Sequence, residues 1–412
     1  MIQADLITYL KSLKSVRDRC SLVYDLSKKN ALNHFEVDEG NLDKVVAFIQ
    51  DLIKRDYKSL DEIPPHSRWR HFNYKGIKRL DPLLNSSKFK TKMETAKAFI
   101  DLFVISVLLD AGAGAKWKFV EKATGMEISR SEGLAVASLE MFEQGLFSDD
   151  SSCLCANAKG LQKLQLEDLK KGFQIDSKNE MAGLEGRFEL LKRLGVVMES
   201  KPEFFGASNA RPGNLIDYLK ADENGHVHIE KLWKVVMEGF SAVWPATRTN
   251  INGIPMGDAW PLKCLSDAYP NETNIVPFHK LSQWLTYSLM EPLETILGLK
   301  FQGVELLTGL PEYRNGGLLI DFEVLKLKDA SLKGKKFAPS DDLIVEWRAL
   351  TVILLDKTAE RLRKVLNLNA TQLPLAKVLE AGTWKAGREI AAKLRPDTQN
   401  PPIEIISDGT VF

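Results

Sequence analysis

Apolar residues recur at three- and four-residue steps through the first third of the chain, the spacing of one buried helix face. Leu6, Leu10 and Leu13 form one such stripe, and Val45, Ile49, Leu52 and Ile53 form another. Residues 91–110 read as a buried helix that stops at the glycines of Asp-Ala-Gly-Ala-Gly over 110–114. Ser129 with Glu132 three residues on signals the start of a helix running to Gly145. Residues 180–194 are amphipathic and predict a helix ended by Gly195. After Pro277 another helix is expected, with Phe278, Leu281, Leu285 and Leu289 on one stripe. Its second stripe carries Lys280, Gln283, Trp284, Tyr287 and Glu291. Alternation at steps of two is rarer: Leu318, Ile320, Phe322 and Val324 predict a strand over 318–326, and His226 to Ile229 a shorter one. Residues 148–160 and 244–277 read as loops, the second holding Pro245, Pro255, Pro261 and Pro270. The pattern predicts a mainly α fold with a small β element and long structured loops. Its expected divisions are N-terminal helices over 1–60, a body over 61–395 that can split near 200–275, and an extended tail over 396–412.

Composition narrows the class. A chain of 412 residues that is 44% hydrophobic and 27% charged is neither disordered nor collagen-like. With 56 basic against 55 acidic residues the net charge is +1, which argues against a general nucleic-acid binder. Four cysteines exclude a disulfide scaffold and suggest a reducing, cytoplasmic setting. No secretory signal is expected from the first residues. The most apolar run covers only 102–109, against the roughly 20 residues a membrane helix needs, so no membrane partner is expected.

Several familiar motifs fail on spacing. Gly-Ala-Gly-Ala-Lys over 112–116 lacks the phosphate-loop pattern, and Trp117 stands where a dinucleotide fingerprint needs its third glycine. A helix terminator accounts for it better. Cys153-Leu-Cys155 and His226-Val-His228 each offer two metal ligands without a matching second pair nearby. Neither a metal nor an organic cofactor is therefore expected.

Three segments carry chemistry. Pro-Pro-His-Ser-Arg-Trp-Arg-His-Phe over 64–72 offers Arg68 and Arg70 on one side for anions, Trp69 and His71 on the other, and stacking faces from Trp69 and Phe72. A surface loop whose Trp plugs the core reads the same. The second stripe of the helix after Pro277 suits either a polar pocket or a half-buried packing face. Over 310–321, Glu312, Tyr313 and Arg314 precede the pair Gly316-Gly317, and Glu312 with Asp321 supplies the two carboxylates that glycosyl transfer uses. A turn with a salt-bridged Arg314 is the alternative. Further on, Glu346 sits in an apolar run beside Arg348 and is either paired or catalytic.

Together these segments resemble the uracil catabolism protein 4 family. The matching pieces are PPHSRWRHF (64–72), LLDAGAGAKW (108–117), RSEGLAVASL (130–139), ARPGNLIDYL (210–219), GDAWPL (257–262), FHKLSQWLTYSL (278–289), LTGLPEYRNGGLLID (307–321) and VEWRALTVILLD (345–356). The resemblance implies a part in a pyrimidine-degradation route that opens uracil at the ribonucleotide level and finally releases urea. The last three pieces are also similar to the queuosine-salvage N-glycosylase family, in which a Lys-x-x-Gln helix, an Asp-Tyr-Arg element and Val-Glu-x-Arg-Ala follow in order. Here they become Lys280 with Gln283, Glu312-Tyr313-Arg314, and Val345 to Ala349. Glu replaces that Asp, and Asn315-Gly316 replaces a Pro, so a different leaving group is implied. This second likeness implies a helical, DNA-glycosylase-like catalytic body.

What the two likenesses imply is an N-glycosidase acting on a phosphorylated ribosyl substrate, with urea and a pentose phosphate as products. Glu312 would be the electrostatic stabiliser or general base, and Lys280 would keep it ionised. Arg68, Arg70, His71 and Arg314 would hold the 5′-phosphate, while Trp69, Trp284 and Tyr287 wall the pocket. Glu346 or Asp321 would orient neighbouring groups, with Gln283, Tyr313, Asp258 and Trp260 on the substrate side. Two alternatives stand beside it: a metal-dependent, amidohydrolase-type opening of a ureido or pyrimidine compound, and a non-catalytic partner of the pathway enzymes.

Overall fold

Helices dominate the computed structural model, which describes residues 3–114, 116–244 and 248–406. Strands occur there only as six two-stranded pairs. The mainly α architecture expected from the apolar spacing is the one the chain adopts. The chain forms two compact units interleaved in sequence. Described parts of the first lie in 3–66, 248–283 and 305–406, and those of the second in 67–244 and 284–304.

The first unit is built on the 25-residue helix Asp342–Leu366, whose residues from Leu343 to Leu355 are all buried. Helices Leu13–Lys28 and Leu42–Asp56 pack on it, and the stripe of Val45, Ile49, Leu52 and Ile53 enters that core. The stripe of Leu6, Leu10 and Leu13 is split between two helices, Gln3–Leu10 and Leu13–Lys28. Ser12 begins the second one by accepting a hydrogen bond from the Ser15 amide, and Leu10 joins a small separate cluster with Met256 and Ala259.

The strand expected over 318–326 is a helix, Tyr313–Asp321, followed by a short strand, Leu325–Leu327. Residues Arg314 to Ile320 are buried on every side, so apolar residues fall at both parities and the alternation is not a one-faced strand pattern. The glycine pair serves packing instead of a turn: a Cβ on Gly316 would meet the Trp347 ring at 2.7 Å, and one on Gly317 would meet Pro402 at 3.1 Å. Strand Leu325–Leu327 pairs antiparallel with Phe35–Val37, placing Glu36 opposite Lys326. Residues 244–277, expected as loop, hold an antiparallel pair, Ala259–Pro261 with Ile275–Pro277, and the helix Lys263–Ala268; Pro245 lies outside the described residues. Near the C-terminus Glu404–Ile405 runs parallel to Lys336–Phe337, and Ile403 is in the core. Residues 407–412 of the expected tail lie outside the described residues.

In the second unit the expected buried helix is Lys92–Leu108, capped by Thr91, whose hydroxyl accepts the Glu94 amide proton at 3.1 Å. From Thr95 to Leu108 every residue but Lys97 is buried, as in a core helix. Ala115 of the glycine run beyond it lies outside the described residues. The helix signalled by Ser129 is Arg130–Glu143, but the Ser129 side chain makes no capping hydrogen bond; its extended backbone alone marks the start. The helix expected to end at Gly195 is Leu184–Ser200. Gly195 lies inside it because a Cβ there would come 2.8 Å from the Ala158 carbonyl oxygen, so the glycine admits a neighbouring helix. His226–His228 forms the expected short strand, parallel to Lys300–Gln302. No helix among the described residues is long and apolar enough to cross a membrane.

Candidate active site

Lys280 opens the helix Lys280–Leu297, and its entry is tightly determined. His279 just before it has φ +47°, a left-handed conformation that costs a histidine energy unless its surroundings hold it. Asp258 supplies that hold. Its carbonyl oxygen accepts from the amides of Phe278 at 2.9 Å and His279 at 3.1 Å, and its carboxylate accepts from the Lys280 amide at 2.9 Å. The His279 ring donates to the Leu10 carbonyl at 2.8 Å, and burial holds its pKa below the usual value, so the imidazole stays neutral.

Arg348 closes the arrangement. Two of its nitrogens meet the two Asp258 oxygens at 2.7 Å each, the planar fork that matches a carboxylate. Trp260 donates to the same carboxylate at 2.7 Å. Burial works to raise the Asp258 pKa, but the Arg348 charge and these hydrogen bonds hold it well below the ordinary range. The remaining Arg348 nitrogen donates to the Pro311 carbonyl at 3.1 Å, one residue before Glu312, and its guanidinium lies 4.1 Å from the Phe278 ring centroid. One guanidinium thus brackets the backbone of Lys280 and that of Glu312.

Gln283 adds a second tie. Fully buried, it donates to the Thr308 hydroxyl at 3.0 Å and accepts the Thr308 amide proton at 3.1 Å, clasping the segment that leads to Glu312. Glu312 then caps the helix Tyr313–Asp321, one oxygen accepting from the Arg314 amide at 2.7 Å and the other from the Asn315 amide at 2.5 Å. Burial raises its pKa, while those two amides and the charges of Lys280 and Arg314 pull it down. The charge of the lysine in one segment therefore acts on the glutamate of the other. Arg314 donates to the Gln399 carbonyl at 2.8 Å and lies 5.1 Å from the Tyr313 ring centroid.

The two other acids are held elsewhere. Glu346 is two residues from Arg348 on a helix, so the side chains leave opposite faces. Its oxygens accept from the amides of Asn33, His34 and Phe35, each at 2.9 Å. Asp321 ends the helix that Glu312 caps, about 13 Å away at 1.5 Å per residue, and pairs with Arg395 at 2.9 and 2.6 Å. Glu312 and Asp321 are not a close carboxylate pair of the kind glycosidases use.

Arg68, Trp69, Arg70, His71, Trp284 and Tyr287 belong to the second unit. Arg68 is fully buried and donates to the Ser106 hydroxyl at 2.8 Å, the Ser106 carbonyl at 3.1 Å and the His71 Nδ1 at 3.0 Å, with Asp110 at 2.9 Å. Since Arg only donates, Nδ1 of His71 accepts. Trp69 packs on Phe99 and Phe103 in the core, and Arg70 pairs with Glu291. The His71 and Trp284 rings stand 5.5 Å apart, and Tyr287 is buried.

A family model described as a protein of unknown function (DUF1688) matches residues 9–412. The chain belongs to the DUF1688 family. This DUF1688 chain is 43% identical over 438 residues to uracil catabolism protein 4 of Lachancea kluyveri, covering 98% of the chain and 99% of that protein. It is 41% identical over 424 residues to protein urg3 of Schizosaccharomyces pombe, covering 100% of both. The resemblance to uracil catabolism protein 4 expected from the short segments therefore extends over nearly the full length. Among the described residues no group of three or more His, Cys, Asp or Glu is placed to hold a metal ion. Sequence reasoning gave Arg348, Thr308 and His279 of this DUF1688 chain no role in the site. Arg348 was within reach, since it lies on the face of its helix opposite Glu346; the strained His279 left no sequence signal.

Proposed function

We propose that this chain acts in uracil catabolism by hydrolysing the N-ribosidic bond of a phosphorylated ribosylurea-type intermediate, yielding urea and a pentose phosphate. The names of its relatives support the pathway. The observation that carries the chemistry is the buried Glu312 carboxylate under the charge of Lys280. As the C–N bond breaks, positive charge develops at the anomeric carbon, and a nearby carboxylate in a dry setting stabilises it strongly. The oxygen of a water molecule bonds to that carbon; Glu312 takes the water's proton and returns it to the departing nitrogen. Lys280 keeps the carboxylate ionised, and Arg314, which gives one N–H to the Gln399 carbonyl, would hold the substrate phosphate with the others.

The test is hydrolysis of synthetic ribosylurea 5′-phosphate by the purified chain, with urea and ribose phosphate assayed separately. Glu312→Gln keeps a cap acceptor but removes the charge, and kcat is expected to fall ~10²–10⁴-fold. Wild-type turnover by that variant removes Glu312 from the reaction. Ammonia in place of urea would indicate amide hydrolysis.

A further inference from the structure

The run Cys153-Leu-Cys155 lies outside the residues assigned above, and its backbone is folded for a purpose that metal spacing did not explain. The Cys155 amide donates to the Cys153 carbonyl at 3.0 Å, the i to i+2 hydrogen bond of a γ-turn. In an extended chain residues i and i+2 share a side but their Cα atoms stand nearly 7 Å apart, at the limit a disulfide spans. The turn shortens that span and brings the thiols together: Cys153 Sγ donates to Cys155 Sγ at 2.9 Å.

The turn is itself anchored. The Cys153 amide donates to the Asp150 carbonyl at 2.9 Å, and the Ala156 amide to the Asp101 carboxylate at 3.0 Å. Upstream the loop closes so tightly that a Cβ on Gly145 would meet the Ser151 carbonyl at 2.4 Å. The two thiols differ in access, Cys153 being partly exposed and Cys155 1% exposed. Burial, the Asp101 charge and the Cys153 hydrogen bond push the Cys155 thiol up to about 12, so it waits as the protonated partner. Arg211, paired with Asp101, works against that rise at Cys155.

We propose that Cys153 and Cys155 are a redox site that forms a reversible intrachain disulfide when the protein meets a low-molecular-weight disulfide. The accessible Cys153 thiolate attacks the reagent, forming a mixed disulfide and releasing one thiol. Cys155 then attacks the Cys153 sulfur, the Cys153–Cys155 bond forms, and its proton leaves with the second thiol. Two protein thiols are oxidised and one reagent disulfide is reduced to two thiols.

The purified protein is treated with oxidised glutathione, then alkylated under denaturing conditions and mapped by mass spectrometry. Two of the four cysteines are expected to be lost to alkylation. The peptide holding residues 153–155 should be lighter by two hydrogens, and dithiothreitol should restore both thiols. Cys155→Ser should stop at a glutathione adduct on Cys153, and Cys153→Ser should leave Cys155 unmodified. Four alkylatable thiols after treatment, or a lasting adduct on Cys153 of the unaltered protein, overturns the proposal.

Discussion

Glu312 occupies a position where a helix asks only for an acceptor, and Ser, Thr, Asp or Asn meets that need with a shorter side chain. A glutamate there carries a negative charge into a buried setting, which is costly unless the charge is used or neutralised. Burial raises its pKa and Lys280 opposes the rise. In a pH–rate profile of ribosylurea 5′-phosphate hydrolysis, the acid limb should lie above the ordinary glutamate value of about 4.3. Lys280→Met removes a nearby cation, so the limb should move to higher pH and the rate near pH 7 should drop. A limb that stays in place in this variant would mean that the two charges do not share a catalytic step.

The bracket of Asp258 and Arg348 belongs to the scale of elements, since it joins a strand pair, a helix start and a long helix. Arg348→Met leaves the Asp258 carboxylate buried without its cation, a change that costs about 3–5 kcal/mol. Urea denaturation should show this loss, and Arg348→Lys should recover little because a single ammonium cannot meet both oxygens. Glycines tell a parallel story. Gly195 reads as a breaker and Gly316 as part of a turn or a ligand approach, yet each lies within a helix and admits a neighbour that a Cβ would displace. A breaker and a close-packing site look alike until the neighbour is known.

At the scale of the whole chain, ion pairs tie segments distant in sequence, such as Arg17 with Asp356 and Arg395 with Asp321. His34 Nε2 donates to the Asp342 carboxylate at 3.0 Å, joining the N-terminal segment to the start of the long helix. The Asp342 hydrogen bond raises the His34 pKa above its unperturbed 6.5, against an opposing effect of burial. The folded state therefore binds the proton more tightly than the unfolded chain does. This stabilisation is fully present below about pH 6.5 and fades as pH rises through the higher folded-state value. Asp342→Asn should flatten the stability slope between roughly pH 6 and 8 in denaturant titrations; an unchanged slope would assign it to another group.

Local periodicity was enough to place several of the helices, because the 3.6-residue repeat is a property of each segment alone: 92–108 and 42–56 are clear from it. That the charge of Lys280 acts on Glu312 agrees with the motif order. Tertiary structure decided which buried group each charge meets. Asp258 and Arg348 are 90 residues apart, and no short-range pattern links them. The same holds for Glu346, which answers three backbone amides from residues 33–35, and for the helix at 313–321, where burial on all sides erased the signal that separates helix from strand. Spacing along a chain records which face is apolar, whereas partner identity depends on distances that exist only after folding.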